Sequence, residues 1–378
     1  MNHKILIPIL AVLAVGMSPA QNPADSLTDR LSLLFIGDIM GHDAQIRSAK
    51  DPETGSFNYD DVFSFIREEI SEADYAIANL EVTLAGSPYK GYPAFSSPAE
   101  LAAACIKAGI DCFVTANNHS ADRGKKGILE TLQKLDSLGI PHTGTFASKN
   151  ERDSLYPLML NIKNNTIALL NYTYGTNGIN VPDPVIVNML NRDLVAEDLE
   201  KAVRKNPDLI ILFLHWGTEY DTIPSKMQDE MARFFFDRGA DLIIGSHPHV
   251  LQKMIWTKED PYGKGRIAVY SLGNFVSNQQ RPKTDGGAMV RIEIEKRNDS
   301  LKIASAGYYL TWVYTPFENG RKRFYILPCS KYERNSEFFA SPSDHIKMMD
   351  YVTNSRRFLE VQNINFREYI FTGNEWNR

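Results

Sequence analysis

The stretch LIIGSHPHVLQ, residues 242–252, decides how this chain is read. Leu242, Ile243 and Ile244 form an apolar run fit for a buried strand, and Gly245 marks its end. Two imidazoles, His247 and His249, then flank Pro248 where the strand should stop. Histidines placed just past a buried strand call for a chemical reason.

The same pattern recurs along the chain. LSLLFIG, DYAIANLE, DCFVTANNH, TIALLNYTYG, DLIILFLHWG and RIAVYSLGNF are short apolar runs closed by glycine or polar clusters, and each reads as a buried strand. Amphipathic stretches at 61–73, 101–109, 125–138 and 226–238 lie between them, with Ser97-Pro98 as cap and first position of the second. Alternating strand and helix predicts an α/β layered core, with sheets flanked by helices. Past Met289, MVRIEIEK, LKIASAGYYLTWVYT and KRFYILP read as antiparallel strands, and SPSDHIKMMDYVTNSRRFLEVQ reads as one helix. The aromatics of GYYLTWVY alternate at strand period and are expected in the core and on the sheet surface, with a polymer-binding track on one face as the alternative. The expected organisation is one domain over 30–316 and a C-terminal extension over 317–378 ending in a helix.

With 378 residues, 43% of them hydrophobic, the chain can bury a large core. A net charge of −5 spread over interspersed residues leaves no basic stripe, which argues against a nucleic-acid partner. At the N-terminus, Lys4, the apolar stretch 5–17 and Ser18-Pro19-Ala20 have the form of a signal peptide over 1–20, so the expected location is periplasmic or extracellular. The apolar stretch is shorter than the roughly 20 residues of a spanning helix, so membrane attachment is expected only if this segment is retained. Cys105 and Cys112 sit in apolar helix-like and strand-like runs and are expected to be small buried hydrophobes.

The chemistry follows the apolar runs. GDIMGHD, NLE, NNHSAD, HWGTEY, HPHV and GNF place Asp38, His42, Asn79, Glu81, Asn118, His119, Asp122, His215, His247, His249 and Asn274 at run ends, and five of the eight histidines fall in these clusters. In layered α/β sheets such ends gather on one rim. Mixed carboxylate, amide and imidazole donors suit Mn²⁺, Zn²⁺ or Fe, and their number fits two ions. A pair of ions sharing a carboxylate is suited to hydrolysis of phosphoesters. Glu219 and Asn274 are expected to orient ligands, as is Asp122 for His119.

In this order, GDIM, NLE, ANNHSAD, HWGTEY, GSHPHV and SLGNF resemble the CapA family of poly-γ-glutamate capsule biosynthesis proteins over about 31–275. That family is similar to the calcineurin-like metallophosphoesterases, and the resemblance implies their β-sandwich with the metal site at strand C-terminal ends. It implies metal ligation by Asp38, Glu81, Asn118, His215, His247 and His249, with Glu81 bridging, and His119 as the acid that protonates the leaving oxygen, assisted by Asp122. His247 and His249 would each serve a different ion, since residues two apart in an extended segment face the same side. After GDIM the family often carries a basic position; Gly41-His42 stands there, so His42 joins Asn79, Glu219 and Asn274 as further candidates. The function implied is an exported protein of capsule or exopolymer synthesis or retention, acting on an anionic polymer or a phosphoester small molecule, with envelope capsule machinery as partner. A non-catalytic polymer-binding protein on the same fold, and a periplasmic phosphodiesterase or nucleotidase, are the alternatives.

Overall fold

The computed structural model of the protein describes residues 29–259, 263–279, 281–297 and 300–378. The signal peptide read over 1–20 lies outside the described residues. Among them, two sheets stack face to face. The first is built on the strand Asp29–Ile39, which pairs in parallel with Tyr75–Leu80, itself followed by Cys112–Val114 and His142–Thr143. On its other side Asp29–Ile39 pairs antiparallel with Gly286–Arg297, which continues to Ser300–Tyr314 and Tyr325–Pro328. The second sheet runs in parallel through Asn165–Thr173, Leu209–His215, Leu242–Ser246 and Arg266–Val269, with antiparallel edges. The α/β class read from the alternation is the one observed.

Burial explains why the strands read as continuous apolar runs rather than alternating ones. Leu33, Phe35 and Ile77 of the first sheet meet Leu169, Ile211, Phe213 and Ile244 of the second in the central core. Leu34, Ile36, Ala76 and Ala78 point the other way, onto Leu101 and Cys105 of the helix Glu100–Lys107. The second sheet likewise turns Leu170, Ile210 and Leu212 toward Val195 and Leu199 of Arg192–Arg204 and Phe235 of Lys226–Phe236. Both faces of each sheet are therefore covered. Tyr308, Tyr309, Trp312 and Tyr314 are all buried, as their strand period predicts.

Local boundaries differ from the sequence reading at several points. Ser97-Pro98 does not cap the second helix: Ala99 is its N-cap, and the Ser97 hydroxyl has no partner. The 61–73 stretch divides into a 3-10 turn, Asp60–Phe63, and a short helix, Arg67–Ser71. The long C-terminal helix is present as Pro342–Gln362, capped by Ser341 with proline in its first turn, and buries Met348, Tyr351 and Leu359 in the central core. The chain does not end there. Arg367–Glu368 joins the first sheet beside Ser300–Tyr314, and a hairpin of Ile370–Thr372 and Glu375–Asn377 follows. Tyr325–Pro328 also belongs to the first sheet, so residues on both sides of position 317 share one layer.

The run RIAVYSLGNF, read as one strand, is two. Arg266–Val269 lies in the second sheet and Asn274–Val276 in the first, parallel to Asp29–Ile39 with Asn274 opposite Asp38. The link between them, residues 270–273, threads between the two sheets and demands glycine on either side. A Cβ on Gly37 would fall 2.1 Å from the Gly273 carbonyl oxygen, and one on Gly245 would fall 2.0 Å from that of Tyr270. The residues after these glycines, Asp38 and Ser246, are thereby brought to the seam. Gly245→Ala is expected to lower unfolding stability by about 1–3 kcal/mol or more through backbone collision. Equilibrium denaturation checks this, and a change within about 0.5 kcal/mol, as for an ordinary surface substitution, contradicts it.

Candidate metal centre

Three parallel strands of the first sheet and two of the second stop at one rim, and their ends supply the polar groups. Asp38 is the penultimate residue of the strand Asp29–Ile39, Glu81 lies just past Tyr75–Leu80, and Asn118 and His119 lie in the turn after Cys112–Val114. His215 ends Leu209–His215, and His247 and His249 follow Leu242–Ser246. Asp38, Glu81 and His215 are fully buried, and Asn118, His119, His247 and His249 are at most 2% exposed.

Two overlapping sets of donor atoms converge: Asp38, Glu81 and His215 in one, Glu81, His247 and His249 in the other, each within 4.8 Å. Glu81 belongs to both. Its Oε1 has no hydrogen-bond partner and lies 3.6 Å from His215 Nε2 and 3.7 Å from His249 Nε2. Burial and the neighbouring imidazoles push His215 well below its ordinary pKa, so its contact with Glu81 is not an ion pair. His247, whose buried Nδ1 is also unpartnered, is pushed down to about 3 by burial and by His249. Glu81 is driven the other way, well above the usual carboxylate range, by burial and by the adjacent Asp38. His215 and His247, pushed toward the neutral form, and the unpartnered buried Glu81 Oε1 and His247 Nδ1 make a donor set that a cation would complete.

Neighbouring groups fix these donors. Asn79 Nδ2 donates to Asp38 Oδ1 at 2.8 Å and to Glu81 Oε2 at 3.3 Å, spanning the two carboxyls. Asn118 Oδ1 sits 2.8 Å from His215 Nε2, and Ser246 Oγ lies 2.9 Å from the other nitrogen of that ring. His249 Nδ1 lies 3.0 Å from Asp38 Oδ2 and 3.1 Å from Asn274 Oδ1. Asn274 in turn donates to Gln279 Oε1 and the Thr284 carbonyl. His119 Nδ1 and Asp122 Oδ2 are 2.8 Å apart, and the same oxygen accepts the Phe95 N–H at 2.7 Å, while the Phe95 ring meets the His119 ring edge-on.

The structure thus brings together Asp38, Asn79, Glu81, Asn118, His119, Asp122, His215, His247, His249 and Asn274, but not by all the routes read from the sequence. Asn274 opens a strand rather than following one. The HPH pair is not extended: His247 and His249 take φ +99° and +58°, and it is this turn, not strand alternation, that aims both rings inward. Both fall in the same donor set, where the resemblance implies one per ion. His42 caps the helix Asp43–Ala49, accepts the Asn278 N–H at Nδ1, and is outside both donor sets; burial pushes it down to about 4. Glu219 is exposed at the mouth of the site.

Four contributors were not read from the sequence. Asn117 Nδ2 donates to the Leu80 carbonyl and its Oδ1 accepts the His119 N–H, which ties the NNH turn to the NLE strand end. Ser246 holds His215. Tyr174 lays its ring 4.4 Å from that of His247, and Tyr220 lies 6.2 Å from His249. Their only sequence signal is position: each directly precedes, or lies a few residues beyond, a strand end already singled out.

With this geometry in view, the chain's relatives can be stated. Residues 32–279, well over half of the chain, match the family "Bacterial capsule synthesis protein PGA_cap". The chain belongs to that family. It is 28% identical over 314 residues to the capsule biosynthesis protein CapA of Bacillus anthracis, spanning 79% of this chain and 73% of the relative. It is also 28% identical over 319 residues to the PGA biosynthesis protein CapA of Bacillus subtilis strain 168, spanning 77% and 76%. Among solved structures it is similar to the NAD nucleotidase NadN of Haemophilus influenzae, at TM-score 0.48 and 14% identity over 90% of this chain and 64% of that one. The calcineurin-like phosphoesterase YfkN of Bacillus subtilis gives 0.44 and 13% over 88% and 99%. These structural likenesses are too distant to bear on chemistry.

A pH signature follows from the opposed pKa shifts. Burial and Asp38 raise Glu81 well above the usual carboxylate range, whereas burial lowers His42, His215 and His247. Divalent-ion binding on the acid side of the Glu81 pKa is therefore expected to release protons, and affinity to rise with pH across that range. Calorimetric titration in two buffers of different ionisation enthalpy measures the release; enthalpies independent of buffer contradict it.

Proposed function

We propose that this protein is an exported capsule- or exopolymer-synthesis protein whose rim site is a dinuclear-metal, phosphoesterase-like hydrolase. One observation carries the reading: two three-donor sets share Glu81, whose buried Oε1 lacks any partner in the protein. Asp38, Glu81, Asn118, His215, His247 and His249 would hold Mn²⁺, Zn²⁺ or Fe, with carboxylate, amide and imidazole donors suited to those ions. When bound, such a pair supplies an activated water and neutralises charge on a phosphoryl group.

The chain's own residues supply the rest. Asp122 accepts a hydrogen bond from His119 Nδ1–H and would stabilise the imidazolium, so Nε2–H is the proton available to a leaving oxygen. Phe95, through its backbone N–H on Asp122 and its ring on His119, holds that acid in place and excludes water from one side of it. Asn79 steadies the two carboxyls side by side through one Nδ2 that donates to both.

The substrate class is an anionic polymer or a phosphoester small molecule of the envelope, supported by the capsule-synthesis family. Export is supported by Lys4, the apolar stretch 5–17 and the small residues at 18–20. Among the described residues no helix is long and apolar enough to cross a membrane.

Elemental analysis of the purified protein is expected to find two divalent ions per chain, with turnover of p-nitrophenyl phosphate or its bis-ester. Replacing both His247 and His249 by alanine is expected to remove metal while the protein stays folded. His119→Ala is expected to keep the metal and lose about 10²–10⁴-fold in kcat. A folded, metal-free, inactive wild type would instead assign the site to polymer binding.

A further inference from the structure

The turn after Asn165–Thr173 reaches the site from a direction that none of the ligand motifs suggested. Tyr174 donates its N–H to the His215 carbonyl at 2.9 Å and rests its ring on His247. Thr176 closes the turn, donating from Oγ1 to the Ile179 carbonyl at 2.6 Å and accepting the Ile179 N–H at 2.9 Å. Asn177, at φ +52° in the left-handed region that asparagine tolerates, then presents its side-chain oxygen to Asn118 Nδ2 at 3.2 Å.

That contact bears on which end of the Asn118 amide faces the site. An amide ligates a cation through its oxygen; its NH₂ has no lone pair to give. Within the site the Asn79 NH₂, 3.4 Å from His215 Nδ1, favours the hydrogen on Nε2 and so an oxygen of Asn118 facing it. Asn177, whose amide turns its oxygen to Asn118, supplies an acceptor on the outer side that agrees with this orientation. It takes the NH₂ outward and leaves Oδ1 2.8 Å from His215 Nε2.

We infer that Asn177 is a positioning residue of the metal centre, holding the Asn118 amide with its oxygen toward the ions. The inference rests on the metal-centre reading and goes beyond it, since Asn177 is exposed, touches no donor set, and acts through Asn118 alone. Residues that orient a metal ligand typically contribute about 10–100-fold to affinity.

Mn²⁺ titration by calorimetry, with thermal unfolding in the presence and absence of the ion, tests it. Asn177→Gly keeps the left-handed backbone and removes the acceptor; it is expected to fold as the wild type does without metal and to bind at least one ion about tenfold more weakly. Asn177→Asp can only accept, so it is expected to bind at least as tightly as wild type at both low and high ionic strength. In an Asn118→Ala background Asn177→Gly is expected to cause no further loss. Wild-type affinity in Asn177→Gly, weakened binding in Asn177→Asp, or a loss that persists without Asn118 overturns the inference while leaving the metal centre intact. Failure of the wild type to take up Mn²⁺ overturns the metal-centre reading, and this inference with it.

Discussion

Asp38 and Glu81 are two carboxyl groups held wholly out of water and bridged by one amide, that of Asn79. An ionised carboxylate in such a place costs several kcal/mol even after the protein relaxes. Burial shifts the groups toward their uncharged forms, raising Glu81 well above the carboxylate range and lowering His215 and His247. The arrangement is tolerable in that state but not complete, because Glu81 Oε1 and His247 Nδ1 remain buried without partners. Positive charge at this spot would satisfy both and allow both carboxyls to ionise. On the proposed reading, the site is organised around a charge that the polypeptide does not itself provide.

The architecture serves that constraint. The parallel strands of both sheets must end together for donors from both to meet, and the 270–273 crossing between Gly37 and Gly245 fixes how closely they approach. Asp38 and Ser246 each follow one of those glycines, so the tightest backbone contact in the seam also sets the positions of a carboxylate and of the hydroxyl that steadies His215. The core, shared between the sheets through Phe35, Phe213 and Ile244, supplies the stability against which His247 and His249 are held at positive φ. Strained residues of this kind persist where the rest of the structure over-determines them.

Much of this could be read from the chain itself, because apolar runs of strand length and the polar residues closing them are local signals. Asp38, Glu81, His215 and the HPH pair were visible in that way, and the family resemblance covered nearly the residues that the family match spans. What escaped was conformational or long-range. The turn at His247–His249 looks extended because Pro248 and the preceding run give no sign of left-handed backbone. The division of RIAVYSLGNF between two sheets depends on a crossing that no period reveals. Asn117, Tyr174 and Asn177 act through partners 35 or more residues away, or through backbone groups, and as isolated polar residues after strands they look like ordinary turn formers. The helix at Pro342–Gln362 was legible from its cap and length, whereas the short strands after it were not, since each is too brief to carry a pattern.

The central claim is that Glu81 is shared between two ions rather than belonging to one. Electron paramagnetic resonance of the Mn²⁺-loaded protein tests it most directly, because ions joined by a carboxylate are magnetically coupled and separate ions are not. The account predicts a spectrum of an exchange-coupled pair in the wild type that gives way to uncoupled Mn²⁺ in Glu81→Ala. A wild-type spectrum of isolated ions, at full loading, would contradict it.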